Sequence, residues 1–208
     1  MHNPVYLVRH GQSEWNAQRR IQGQTPHPPL TALGRRQARA AARSIQADLS
    51  AQPRTVLVIT TSDLVRAAQT AAILTDLLGG TVRSDPRLRE QHLGSWQGLT
   101  VELAAAEQTV SFTGGESARH LRARMAEALS VVDPSAVNIL VSHGRAIRQA
   151  VGQAEGLAAE AAERMTVGNG AVARLYEGRI DWLGEAGQGG VGSDTARHRR
   201  SPGRDFRP

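Results

Sequence analysis

Three short apolar runs, Val5–Val8, Val56–Ile59 and Ile139–Val141, constrain this chain more than any other feature. A strand with one face in water alternates apolar and polar residues. These runs do not alternate, so both of their faces must be covered. Longer segments with helical spacing lie between them. Thr31–Leu49 opens on a residue suited to capping a helix, and Ser62–Leu78 stops at Gly79-Gly80. Glu116–Val132 and Ala146–Val151 have the same character, and Ala171–Tyr176 with Arg179–Trp182 reads as a closing hairpin. Strands alternating with helices predict an α/β fold, a three-layer α/β/α sandwich on a mostly parallel central sheet. The segment after Leu183 is rich in Gly, Arg and polar residues and has no apolar periodicity. It is expected to be a disordered tail over 184–208, which leaves one domain over 1–183.

Composition narrows the chemistry. There is no cysteine among the 208 residues, so disulfides, thiolate metal sites and a cysteine nucleophile are excluded. No apolar run reaches the roughly 18 residues of a membrane span. The run Val5–Val8 is too short for a signal-peptide core and is cut off by Arg9 and His10, so a cytoplasmic protein is expected. All 25 Lys and Arg positions are Arg, and the formal charge is +6. That charge is spread along the chain, so neither nucleic acid nor a membrane is an expected partner. A homodimer stays open. The arginines supply planar forks that bind phosphate oxygens in pairs.

The residues with chemistry stand where strands end. Val5–Val8 runs into Arg9-His10-Gly11, and Ile139–Val141 runs into Ser142-His143-Gly144. Open α/β sheets bind their ligands at the carboxyl ends of parallel strands. Gly11 permits a tight turn and the close approach of an anion to the backbone, and Ser13 is placed to cap a short helix from Glu14. A third junction follows Val56–Ile59, where Arg66 falls in the first turn of a helix. Glu90 lies in a loop-like stretch that continues to Gly94, Trp96 and Gly98, a fair place for an acid. Neither histidine has an Asp or Glu beside it in metal-ligand spacing, and Arg9 would repel a cation. The expected ligand is therefore an anion, with no metal and no cofactor.

Five segments in order resemble the motifs of the histidine phosphatase superfamily, in the branch that includes cofactor-dependent phosphoglycerate mutases. They are LVRHGQSEWN at Leu7–Asn16, SDLVRAAQT at Ser62–Thr70, LREQHLGSWQGLT at Leu88–Thr100, GGES at Gly114–Ser117 and VSHG at Val141–Gly144. The resemblance implies that His10 is the nucleophile and becomes a phosphohistidine. It implies a phosphate pocket made by Arg9, Arg66 and His143, with Glu90 as the general acid and base. It places Asn16, Gln22 and Gly23 on the substrate side. The expected partner is a phosphorylated small molecule.

Two departures bear on specificity. The family commonly reads G-x-x-D-x-P-L-T, whereas Gly23–Thr31 is GQTPHPPLT, one residue longer, with Pro26 or His27 in place of the acid. That change is expected to leave the phosphate pocket untouched. Mutases of the family carry extra basic residues after the Trp-Gly loop, whereas Val101–Gln108 holds two acids and no base. The absence of a cationic grip there favours a phosphatase over a mutase, and LREQHLGSWQGLT resembles the small phosphatases that act on glucosyl-3-phosphoglycerate. A non-catalytic phospho-ligand module is a further alternative.

Overall fold

The apolar runs are the inner strands of one sheet. The computed structural model describes residues 3–50, 56–106 and 113–184, so the expected tail beyond Gly184 lies outside the described residues. In chain order the elements are β1 (Val5–Arg9), α1 (Glu14–Ala17), α2 (Ala32–Leu49), β2 (Leu57–Thr61), α3 (Val65–Leu78), β3 (Thr81–Ser84), α4 (Val101–Ala106), α5 (Ala118–Ser130), β4 (Val137–Ser142), α6 (Gly144–Ala154), α7 (Ala159–Ala162), β5 (Val172–Tyr176) and β6 (Arg179–Leu183). Strand order is β3-β2-β4-β1-β5-β6. The first four of these run parallel, and the β5–β6 hairpin continues the sheet antiparallel from β1.

Alternate side chains of each inner strand enter different layers, because successive Cβ atoms point to opposite faces. Tyr6 and Val8 pack with Ile45 of α2 and with Ala67 and Leu74 of α3. Leu7 between them packs with Leu121 and Met125 of α5 and with Ile147 and Val151 of α6. β4, in the middle of the parallel part, is buried along its whole length. This is the three-layer α/β/α sandwich that the non-alternating runs predict.

The differences have physical reasons. β3 was not legible because all four of its residues are exposed and carry no apolar pattern. It joins the sheet as an edge through backbone pairing with β2. Helix α6 is longer than Ala146–Val151: it starts at Gly144, directly after His143. Gly11 also has a packing role that the sequence did not show. A Cβ there would lie 2.1 Å from the carbonyl oxygen of Gly34, and one on Gly34 would lie 2.0 Å from that of Gln12. The two glycines let the first turns of α2 seat against the backbone that follows His10.

Candidate active site

Strand register brings the junctions together. Arg9 of β1 stands opposite Ser142 of β4, and the His10 amide donates to the Ser142 carbonyl at 3.0 Å. The Ser62 amide donates to the Val141 carbonyl at 3.0 Å. His10 and His143 thus become neighbours, with ring centroids 5.0 Å apart and an interplanar angle of 61°. His10, Arg66 and His143 are all buried.

A hydrogen bond sets the tautomer of His10. His10 Nδ1 lies 2.7 Å from the Gly11 carbonyl oxygen. That oxygen can only accept, so Nδ1 carries the proton and the neutral ring keeps a lone pair on Nε2. The Ser62 hydroxyl accepts from the Leu64 amide at 3.3 Å and lies 2.9 Å from His143 Nε2. The other ring nitrogen of His143, Nδ1, is buried with no partner. Burial, reinforced by Arg66 and Arg9, holds His10 well below the ordinary imidazole value of 6.5. Burial and then Arg66 do the same to His143.

The cations are fixed by carbonyl groups. Arg9 donates from Nη1 to the Val167 carbonyl. Arg66 donates from Nη1 to the Thr25 carbonyl at 2.9 Å and from Nη2 to the Gly23 carbonyl at 2.8 Å. Burial pushes the Arg66 guanidinium down to about 10, with Glu90 opposing and Arg9 adding to the shift. It therefore stays charged at neutral pH. Nε of Arg9 and Nε of Arg66 are buried and unpartnered. Buried polar groups are normally satisfied. Two guanidinium donors and one imidazole nitrogen without partners, at the carboxyl ends of β1 and β4 and in the first turn of α3, make a receptor for an anion with several oxygens.

The altered loop does reach this receptor, contrary to the expectation that it would not. Its carbonyls at Gly23 and Thr25 aim Arg66, and its Pro26 carbonyl accepts from the Val65 amide at the start of α3. The substituted side chains of Pro26 and His27 themselves are exposed. The loop acts on the pocket through its backbone, where a residue of any type leaves a carbonyl.

The other expected residues converge on the same place. Ser13 caps α1 in a reciprocal box with Asn16, and its hydroxyl lies 2.7 Å from Gln22 Oε1. Arg9, His10, Asn16, Gln22, Gly23, Arg66 and Glu90 all line one open cavity of about 380 Å³. Glu90 sits over the first turn of α6. Its Oε1 accepts from the Gln91 amide at 3.0 Å and the Ala146 amide at 3.2 Å, and its Oε2 accepts from the Arg145 amide at 3.3 Å.

Sequence reasoning missed two cations. Arg20 and Arg145 also line the cavity, held at 2.9 Å by the Gly98 carbonyl and by Gln91 Oε1 respectively. The acidic segment after the Trp-Gly loop supplies Val101, Ala104 and Ala105 to the wall, while Glu107 lies outside the described residues. The cations absent from that segment thus enter the cavity wall from elsewhere. The two-residue offset of Arg145 from His143 was the only available signal. Among the described residues there is no group of three or more His, Asp and Glu arranged to hold a metal. Among them, too, no helix is long and apolar enough to cross a membrane.

Two buried neutral histidines carry a pH prediction. Below pH 6.5 the unfolded chain binds protons that the native state refuses, because both native values are depressed. Their contribution is therefore fully present above the ordinary value and is lost as pH falls toward the native ones. Each can cost up to about 1.4 kcal/mol per pH unit in that window. Denaturant midpoints taken between about pH 7 and pH 5 should fall more steeply for the wild type than for His143→Gln. Equal slopes would show that His143 is not held neutral.

Comparisons with known proteins agree with this geometry. The model of the histidine phosphatase superfamily, branch 1, matches residues 5–183. A probable phosphoglycerate mutase GpmB of Serratia proteamaculans is 36% identical over 194 residues, 86% of this chain and 87% of that protein. A counterpart from Enterobacter sp. strain 638 is 37% identical with the same coverage. Among solved structures, a mycobacterial glucosyl-3-phosphoglycerate phosphatase superposes with a TM-score of 0.70 at 30% identity, covering 88% of this chain and 97% of that one.

Proposed function

Because the chain belongs to the histidine phosphatase superfamily, we propose that it hydrolyses a phosphomonoester of a small metabolite through a phosphohistidine on His10. The observation that carries this is the His10 ring. It is neutral, its Nδ1 proton is committed to Gly11, and it lines an open cavity together with Arg9 and Arg66, whose charges reinforce burial in keeping it neutral. Nε2 attacks phosphorus as the ester P–O bond breaks, and Glu90 gives its proton to the leaving oxygen. Arg9, Arg66 and His143 hold the equatorial oxygens as charge builds on them. Water then attacks, returning a proton to Glu90 and releasing His10 and inorganic phosphate. Asn16, Gln22 and Gly23 contact the substrate beside the phosphoryl group. The chain's own arginines supply the positive charge this needs, so activity is expected without added metal.

The cavity is at the small end of the range for metabolite sites, and one part of its wall is apolar, from Ile21, Leu93 and Trp96. Helix α4 lines it with Val101, Ala104 and Ala105, and the segment Val101–Gln108 carries two acids and no base. A wall segment with no base of its own favours water as the final acceptor. The glucosyl-3-phosphoglycerate phosphatase name of a structural relative supports the same choice.

A mutase is the second reading. Arg20 and Arg145 in the wall favour it, because they could hold a second acidic group, and so do the names of the GpmB relatives. Incubation with 3-phosphoglycerate and 2,3-bisphosphoglycerate in EDTA separates the two. The phosphatase reading expects free phosphate. Accumulation of 2-phosphoglycerate without phosphate release would replace it with the mutase reading.

A further inference from the structure

The GGES segment and the helix after it have no part in the chemistry above, yet they are tied to it. Arg124 of α5 has five N–H donors and spends two on Glu116 and three on the loop that carries Glu90. Nε donates to Glu116 Oε1 at 2.7 Å and Nη2 to Glu116 Oε2 at 2.7 Å. Nη1 donates to the carbonyls of Arg87 and Arg89, each at 2.7 Å, and Nη2 also donates to the carbonyl of Glu90 at 2.9 Å. Both members of the pair are largely shielded, at 18% and 15% exposure. An arginine there for solubility alone would leave donors to water. This one closes a fork on a carboxylate and caps three carbonyls of one short loop, those of Arg87, Arg89 and Glu90.

The rest of the segment converges on the same loop. The Glu116 amide donates to the His92 carbonyl at 2.8 Å, and Gln91 Nε2 donates to the Glu116 carbonyl at 2.7 Å. Gly94 has a φ of +49°, and a Cβ on it would lie 2.1 Å from the Thr113 carbonyl oxygen, so the segment packs directly on the loop's far side. On the near side, Gln24 Nε2 donates to the Glu90 carbonyl at 3.0 Å. The Glu90 carbonyl is thus gripped from α5 and from the altered loop, while its carboxyl group is held by the first turn of α6.

We infer that Arg124, locked by Glu116, is the positioning residue of the acid–base group: it fixes the backbone from which Glu90 reaches the leaving oxygen. The inference rests on the role assigned to Glu90 above. Arg124 lines no part of the cavity. Its charge reaches His143, and Arg124→Lys preserves that charge, while its hydrogen bonds reach the chemistry through the loop that carries Glu90. That has a kinetic signature. A general acid matters most when the leaving oxygen is a poor one, such as an alkoxide, and least for nitrophenolate. A positional error in Glu90 is therefore expressed on alkyl esters and largely hidden on p-nitrophenyl phosphate.

The test is Arg124→Lys, which keeps the charge but has three donors for five acceptors. Rates are measured in EDTA on glycerol phosphate and on p-nitrophenyl phosphate, with folding checked by circular dichroism. The expected result is a loss of kcat at least roughly tenfold greater on the alkyl ester than on the aryl ester, with KM little changed. In a Glu90→Gln background the Arg124→Lys change should add little further on the alkyl ester. Should Arg124→Lys not fold, Glu116→Gln loosens the same fork and is expected to show the same asymmetry. Equal losses on both esters, or a full additional loss in the Glu90→Gln background, would overturn the positioning role. A wild type that cleaves neither ester would instead overturn the phosphatase reading on which it rests.

Discussion

His10→Ala is expected to lose at least roughly 10⁴-fold in kcat on p-nitrophenyl phosphate, because the attacking atom itself is removed. No neighbour can replace it. His143 is next to it, but its Nε2 is tied to Ser62 and its Nδ1 is buried. The cations that bind phosphate are not touched by the change: Arg9 and Arg66 are held by carbonyl groups, not by His10. The variant should therefore still bind vanadate or phosphate. Initial rates together with thermal shifts in vanadate check both halves. Residual activity within about tenfold of the wild type would remove His10 from the reaction.

Arg66→Met is the second large effect, with kcat expected to fall by about 10²–10³-fold. The guanidinium is completely buried, and the two bonds to Thr25 and Gly23 leave three of its five N–H donors for equatorial oxygens, where charge grows as the P–O bond breaks. Methionine fills similar volume and carries no donor. The change also strands the Gly23 and Thr25 carbonyls, while it relieves an uncompensated buried charge, so the unliganded stability moves less than the rate does. Ligand linkage separates these effects. Any anion that binds only the native state raises stability by RT ln(1 + [L]/Kd). Vanadate should raise the melting temperature of the wild type and scarcely move that of Arg66→Met. An equal shift in both proteins would show that Arg66 does not hold the anion.

The layer structure was legible because burial on both faces leaves a mark that no partial burial leaves: apolar runs without alternation at Val5–Val8 and Ile139–Val141. The edge strand β3 left no such mark, since its pairing uses only backbone groups. The site residues were legible as positions, at strand ends and in one helix turn, and their convergence followed from strand register. What could not be read was anything that works through the main chain. The loop 23–31 departs from the family pattern in its side chains, yet it serves Arg66 through carbonyl groups that any sequence supplies. Arg20 and Arg145 were missed for a related reason. Basic residues were sought in the segment that caps the cavity, whereas they enter it from the strand-1 loop and from the first turn of α6. Arg124 is one of many arginines in the chain, and only its five partners distinguish it from a surface charge.

Everything above depends on a covalent bond between phosphorus and His10 Nε2. Wild-type protein mixed with a rapidly cleaved phosphomonoester, quenched in alkali within the first turnovers and examined by peptide mass spectrometry, addresses it directly. The prediction is a phosphoryl group on His10 that is stable to base and lost in acid, as a phosphoramidate must be, and absent from His10→Ala. Sustained phosphate release with His10 unmodified at every quench time, or a phosphoryl group on another residue, would contradict it.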